Sequence, residues 1–378
     1  ENLEEQKKEF FENFIAKREP CKLDFSELDE PLFKLNDLNL LKEHAGMEEI
    51  MVEKKVNGSF GSKEKRIKTN FKNFIEQLES GETDLYLTTQ YSESSDDVEN
   101  DSNETVLEDF LQRPLTKLTS FFSIEPKIFS TLIPQQINLW MGSSSREGSS
   151  SGLHHDFADN LYFLVKGTKK FTIFSPLDAK NLYTVGKIKK IFNNGLISYA
   201  DEEQRSDGAF LRDVAEYNLE HAKEKLERLI ENGKNKDEIE EAEAEVEEAM
   251  DQLLEYGYDI DEEEENGSFV DDFDGSFSEH SSDGEAAPNS SRKNFKKLEQ
   301  ELNQEVSSEP PSFSKIGVDC LRILESGDKS CINKIYEIFP LLKKCVKIEF
   351  YLEESQVLYL PAGYVFEKTK EKKNEIKK

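Results

Sequence analysis

The spacing of apolar positions changes character along the chain. Residues 5–17 are charged on one side and carry Phe10, Phe11, Phe14 and Ile15 on the other, which predicts an amphipathic helix. Residues 70–79 predict a second helix, stopped at Gly81. Residues 84–91 are β-branched and aromatic and predict a strand, and residues 136–142 alternate as a half-buried strand does. Two apolar runs, 161–166 and 169–174, are separated by Gly167-Thr168, which predicts a hairpin ended by Ser175-Pro176. Residues 345–360 predict two more strands joined at Glu353-Glu354-Ser355. Residues 213–255 follow a long, charged helical pattern with a thin apolar stripe of Leu219, Leu226, Leu229 and Ile230. Residues 92–109, 142–152 and 259–292 are rich in Ser, Gly and acid and predict loops or disorder, and order returns at residues 310–314. Helices first and many short strands after them predict a mainly β protein, a sandwich or barrel with helical additions.

Charge sharpens this division. The 378 residues hold 49 Lys+Arg against 79 Asp+Glu, a net charge of −30. Residues 201–285 alone hold 32 acidic and 7 basic residues. A near-neutral body therefore carries one very acidic insertion, and the chain divides into residues 1–200, an insertion at 201–309, and residues 310–378. The helical part of the insertion reads as a solvated helical hairpin, with a partner-binding coiled coil as the other reading. So acidic a chain has no means of displacing counterions from a nucleic-acid backbone, so no direct nucleic-acid binding is expected. No apolar run reaches the roughly 20 residues of a membrane span. Cys21, Cys320, Cys331 and Cys345 form no CxxC pair, which suits a reducing compartment, nuclear and/or cytoplasmic.

Candidate chemistry concentrates in Ser149-Ser-Ser-Gly-Leu-His154-His-Asp156-Phe-Ala-Asp-Asn160. On a strand, residues two apart share a face, so His154 and Asp156 would present an imidazole and a carboxylate together. Such a pair, completed by a distant histidine, forms the facial triad that holds non-haem Fe(II) with positions left open for a 2-oxo acid and O₂. An HxD match alone is weak, and a surface turn is its ordinary explanation. Lys169 shares a face with Phe171 and Ile173. If that face is the barrel interior, its ammonium needs an anion, such as the far carboxylate of 2-oxoglutarate. The other reading is an exposed lysine beside Lys166 and Lys170. His155 points away by alternation, and His44, His221 and His280 lack ligand spacing.

The run GLHHDFADNLYFLVKGTKKFTIFSP resembles the core of the JmjC (Jumonji C) oxygenases, closest to the small protein-hydroxylase branch. The resemblance covers residues 20–200 and 310–363. It implies a double-stranded β-helix, a cupin-like jelly roll, with N-terminal helices and an acidic insertion. It also implies an Fe(II)- and 2-oxoglutarate-dependent dioxygenase acting on a protein side chain. Hydroxylation fits better than lysine demethylation, because no Cys/His reader modules accompany the domain. Carried over by residue, the resemblance makes His154 and Asp156 iron ligands and pairs Lys169 with the cosubstrate carboxylate. It places Ser151 at a position that hydrogen-bonds the same carboxylate, Tyr86 on the strand that gives a phenol to that pocket, and Asn160 on the cosubstrate side. Trp140 matches a core position and reads as packing.

The resemblance breaks at the third ligand. The family has a histidine on a late strand after a run like LPAG, and here Phe366 stands in that place. Beyond it the last eleven residues contain six lysines, and this polar tail predicts no closing strand. Gly363-Tyr-Val can be encoded by GGG-TAT-GTN, which contains a common intron donor. One expectation is therefore a retained intron and a truncated C-terminus, checked by reading the mature transcript. The other is a catalytically impaired JmjC-fold protein that binds partners through its acidic insertion.

Overall fold

The computed structural model describes residues 3–25, 31–54, 66–90, 110–124, 129, 132–143, 149–200, 203–232, 236–255, 310–325 and 327–370. Its helices are α1 (Leu3–Phe10), α2 (Leu38–Ala45), α3 (Phe71–Glu79), α4 (Leu211–Glu231), α5 (Lys236–Leu254), α6 (Val318–Glu325) and α7 (Lys329–Ile338). Its strands are β1 (Cys21–Asp24), β2 (Glu49–Lys54), β3 (Arg66–Asn70), β4 (Leu85–Leu87), β5 (Met141–Gly142), β6 (Ser149–Ser150) and β7 (Asn160–Leu164). They continue with β8 (Thr168–Phe174), β9 (Ile188–Ile191), β10 (Ile197–Tyr199), β11 (Ile348–Glu353), β12 (Gln356–Leu360) and β13 (Val365–Lys370).

Two antiparallel sheets make a jelly roll. One runs β1-β12-β7 and the other β11-β8-β13-β6. Alternation sends Leu164, Leu358 and Leu360 from the first sheet into one core with Phe171, Ile173, Leu352 and Phe366 from the second. The outer face of the first sheet, with Val357 and Tyr359, is covered by Phe10 of α1 and by Phe129. A third sheet, β3-β2-β4-β5, packs with α2 and α3 on their own apolar cluster. The start of α3 is set by Asn70, whose Oδ1 accepts from the Asn73 N–H at 2.8 Å.

The two strands flanking Gly167-Thr168 do not form a hairpin. β7 pairs with β12, whereas β8 pairs with β11 and β13. The connection is a corner between the stacked sheets. Gly167, at φ +96°, turns it, and its N–H donates to Glu354 Oε1. Glu354 and Ser355 belong to the matching corner between β11 and β12, where the Ser355 N–H donates to the Leu164 carbonyl. Local sequence marks both turns, but a turn residue is equally suited to a corner.

Other expectations shift in extent. The strand predicted over 84–91 shortens to β4. That over 136–142 shortens to β5 and an isolated bridge from Ile137 to Leu111. The first helix becomes a π-helical turn at Phe11–Ile15. Helices α6 and α7, which periodicity did not single out, pack with Leu153, Phe174 and Val365 in a further cluster. In the insertion, α4 and α5 form an antiparallel pair joined by Ala215, Leu219, Ala222, Ala249 and Leu253, with Lys225 bonded to Glu245 at 2.6 Å. Alanines supply much of that contact, whereas Ile230 of the predicted stripe is 55% exposed. The predicted polar tail begins later than its composition suggests, because Lys368 to Lys370 extend β13 in register with β8 and β6. Residues 92–109, 259–292 (with His280) and 371–378 lie outside the described residues. No helix among the described residues is long and apolar enough to cross a membrane.

Candidate functional site

The HxD segment is held by backbone pairing on both sides. The His154 N–H donates to the Phe366 carbonyl at 3.0 Å, and the Phe366 N–H donates to the His154 carbonyl at 2.7 Å. On the other side, Phe313 bridges His154 directly after the insertion, and the Ser314 N–H donates to the Leu153 carbonyl at 2.8 Å. The imidazole is sandwiched accordingly. Phe313 stacks on it at 4.9 Å between ring centres, and Phe366 lies at 4.5 Å. Burial lowers the His154 pKa, and the nearby Asp156 opposes that shift. Its Nδ1–H donates to the Gly152 carbonyl at 3.0 Å, which leaves Nε2 aimed at Asp156, 3.9 Å from Oδ1.

Asp156 is fixed from β7. Its Oδ2 accepts from the Asn160 amide at 2.7 Å and from the Tyr162 hydroxyl at 3.2 Å. Asn160 and Tyr162 are two apart on one strand, so alternation presents both to the same carboxylate. Tyr162 is half-buried, and its pKa is raised by desolvation and by Asp156. The loop beyond is anchored by Asp159, which pairs with Arg18 at 2.7 Å and accepts from the Tyr359 hydroxyl at 2.8 Å and the Ala362 N–H at 2.9 Å. The Gly363 N–H donates to the Asp156 carbonyl at 3.1 Å, so the late turn is tied directly to the HxD segment.

These groups open on a cavity of about 220 Å³, lined by Thr89, Gln136, Asn138, Trp140, His154, Asp156, Asn160, Tyr162 and Lys368. Lys368 is two residues beyond Phe366 on the inward face of β13 and only 5% exposed. Its Nζ lies 4.4 Å from the centre of the Trp140 ring and 5.0 Å from that of Tyr162. Burial pushes its pKa down to about 8, and Asp156 holds it from falling further.

The structure thus brings together His154, Asp156 and Asn160 of the expected site. Tyr86, Ser151 and Lys169 stand behind or beside the cavity. Tyr86 is buried against Gly142, where an added Cβ would lie 2.3 Å from its ring, and its ring centre is 6.4 Å from that of Trp140. The Ser151 Oγ donates to the Gly152 carbonyl at 3.2 Å and accepts from the Lys368 N–H at 3.4 Å. Lys169 keeps to the strand face of Phe171 and Ile173, across from Leu352, while Lys170 turns outward to Glu325 and Glu349. His155 is structural: it accepts a 2.6 Å hydrogen bond from the Tyr199 hydroxyl at Nε2, and burial lowers its pKa to about 4. Trp140, expected only to pack, lines the cavity. Tyr162, Phe313 and Lys368 went unnoticed in the sequence. For Tyr162 the signal was there, since it sits two residues from Asn160 in one strand pattern.

A jelly roll with an HxD segment facing a late strand defines the cupin-like class. A family model described as "Cupin-like domain" matches residues 7–376, past the point where the motif comparison stops. The chain is also 34% identical over 375 residues to "JmjC domain-containing protein 4" of Schizosaccharomyces pombe, covering 96% of this chain and 78% of that protein. The chain belongs to the JmjC-type cupin-like family.

That family is associated with Fe(II) and 2-oxoglutarate, and the residues here do not complete a centre for the metal. Two donors are in place, His154 and Asp156. A phenyl ring occupies the third direction, and an ammonium shares the cavity. Among the described residues, no three His, Cys, Asp or Glu side chains are grouped to hold a metal ion.

Proposed function

We propose that this chain uses the JmjC cavity as a binding pocket without a resident metal, recognising a protein side chain that its oxygenase relatives would hydroxylate. The observation that carries this reading is the reciprocal backbone pairing of His154 and Phe366. It places the phenyl group in the register where a third ligand must stand, and a phenyl group donates no lone pair to Fe(II). The remaining cavity suits recognition. Trp140 and Tyr162 give it aromatic walls, and Asp156 and Asn160 give it a fixed polar floor. The acidic helices α4 and α5 would offer a second surface to a basic partner.

A second reading, an active Fe(II)- and 2-oxoglutarate-dependent oxygenase, is favoured by one feature. His154 and Asp156 still converge, and Asp156 is still held by Asn160 and Tyr162. Succinate formation from 2-oxoglutarate in the presence of Fe(II) separates the two. The binding reading expects the same background from the native chain and from His154→Ala. Turnover that His154→Ala abolishes would establish the oxygenase.

A further inference from the structure

We propose that Lys368 is the resident cation of this centre, supplying by a tethered ammonium the positive charge that a metal ion would bring. The inference rests on the reading of the cavity as metal-free, and it goes further: it says that the missing histidine is one of two obstacles to a metal.

Four observations carry it. Lys368 follows Phe366 by two residues in β13, opposite Phe171, so both side chains enter the same space. The side chain is almost wholly enclosed, yet it borders the cavity that His154 and Asp156 line. Its ammonium rests on the faces of Trp140 and Tyr162, with Phe366 a little farther at 5.8 Å, and no described side chain or carbonyl is within hydrogen-bond distance of it. Finally, the Asp156 carboxylate receives its hydrogen bonds from neutral donors, Asn160 and Tyr162. Tyr162 joins the two, bonding Asp156 through its hydroxyl and carrying the ammonium on its ring.

A divalent ion entering between His154 and Asp156 would meet this fixed positive charge. Two like charges in one enclosed cavity repel at the effective dielectric of a protein site. Restoring the third donor alone therefore leaves the repulsion in place. Removing Lys368 alone leaves the donor missing. Both changes are needed.

Mn(II) binding to four full-length chains tests this: native, Phe366→His, Lys368→Met and the double variant, each checked for a cooperative melt. Methionine keeps the length and volume of the lysine stem, and Lys368→Gln carries the same prediction if the methionine variants do not fold. The double variant should bind Mn(II) about tenfold more tightly than Phe366→His, as expected when a like charge is removed from the same enclosed site. Equal affinity in Phe366→His and the double variant, or no gain in the double variant, would overturn the proposal. Tight binding by the native chain that is lost on His154→Ala is a different failure, because it overturns the metal-free reading itself.

Discussion

Strand alternation along β13 sends Phe366 into the core and Lys368 to the cavity on the inner face, and turns Glu367 to the opposite face. There its Oε1 accepts from the Ser150 hydroxyl at 2.5 Å. Burial is the largest influence on this carboxyl and raises its pKa above the ordinary 4.5, with the Ser150 bond acting against it. An acid with a raised folded-state pKa holds its proton in the native state after the unfolded chain has released it. Stability is then lost as pH rises through 4.5 towards the folded value. Glu367→Gln removes that loss. Its melting temperature should exceed that of the native chain at pH 7, and the two should converge below about pH 4. A gap that persists at low pH would place the effect in packing instead. At this scale the sequence was partly legible. His154, Asp156 and the substitution at Phe366 could be read directly, because a ligand motif is a matter of residue type and spacing. The destination of Lys368 could not, because a lysine-rich stretch looks like a solvated tail until its strand partners are known.

Between elements, the described helices α4 and α5 of the insertion bury their apolar residues against each other. The cluster between α4 and α5 is made only of their own residues, and a ring contact of Phe210 with Phe157 lies at the hairpin's base. The chain returns at Pro310 to place Phe313 on His154 and to pair the Val185 N–H with the Phe313 carbonyl at 2.7 Å. The hairpin is therefore separable, whereas its exit is part of the site. Replacing residues 211–309 by a short Gly/Ser linker should leave one cooperative melt within a few degrees of the native one, since loop closure changes slowly with length. A broad or much lower transition would show that the helices brace the barrel. The same distinction explains the mistaken hairpin at Gly167. Apolar alternation reports that each flanking strand buries one face, and it carries no information on whether the two strands share a sheet.

Across the whole molecule, the beginning of the chain is sealed onto its end. β1 pairs with β12, Cys21 opposite Tyr359, and Arg18 reaches Asp159 beside the late turn. Phe10 is almost fully buried, in edge contact with Tyr359 at 5.6 Å and Phe129 at 5.1 Å. These contacts join α1 to the outer face of a barrel sheet. Phe10→Ala should destabilise the entire fold by about 3–5 kcal/mol, as large-to-small changes in a packed core do, without splitting the transition in denaturant. A small early phase that leaves the main transition unmoved would mean that α1 is an appendage.

What the sequence determined by itself was everything set by residue type and short spacing. That includes the mainly β class, the acidic insertion and the HxD pair, whereas the jelly roll and the missing histidine at Phe366 were implied by the family resemblance. The first three follow from local chemistry: side-chain period, charge density, or the donor atoms a residue owns. The tertiary structure decided which strands share a sheet, how Phe313 returns to cover His154, and that Lys368 points inward over Trp140 and Tyr162. These depend on contacts between residues far apart in the chain. Their energies come from burial and from charges brought into a low-dielectric space, which no local pattern encodes.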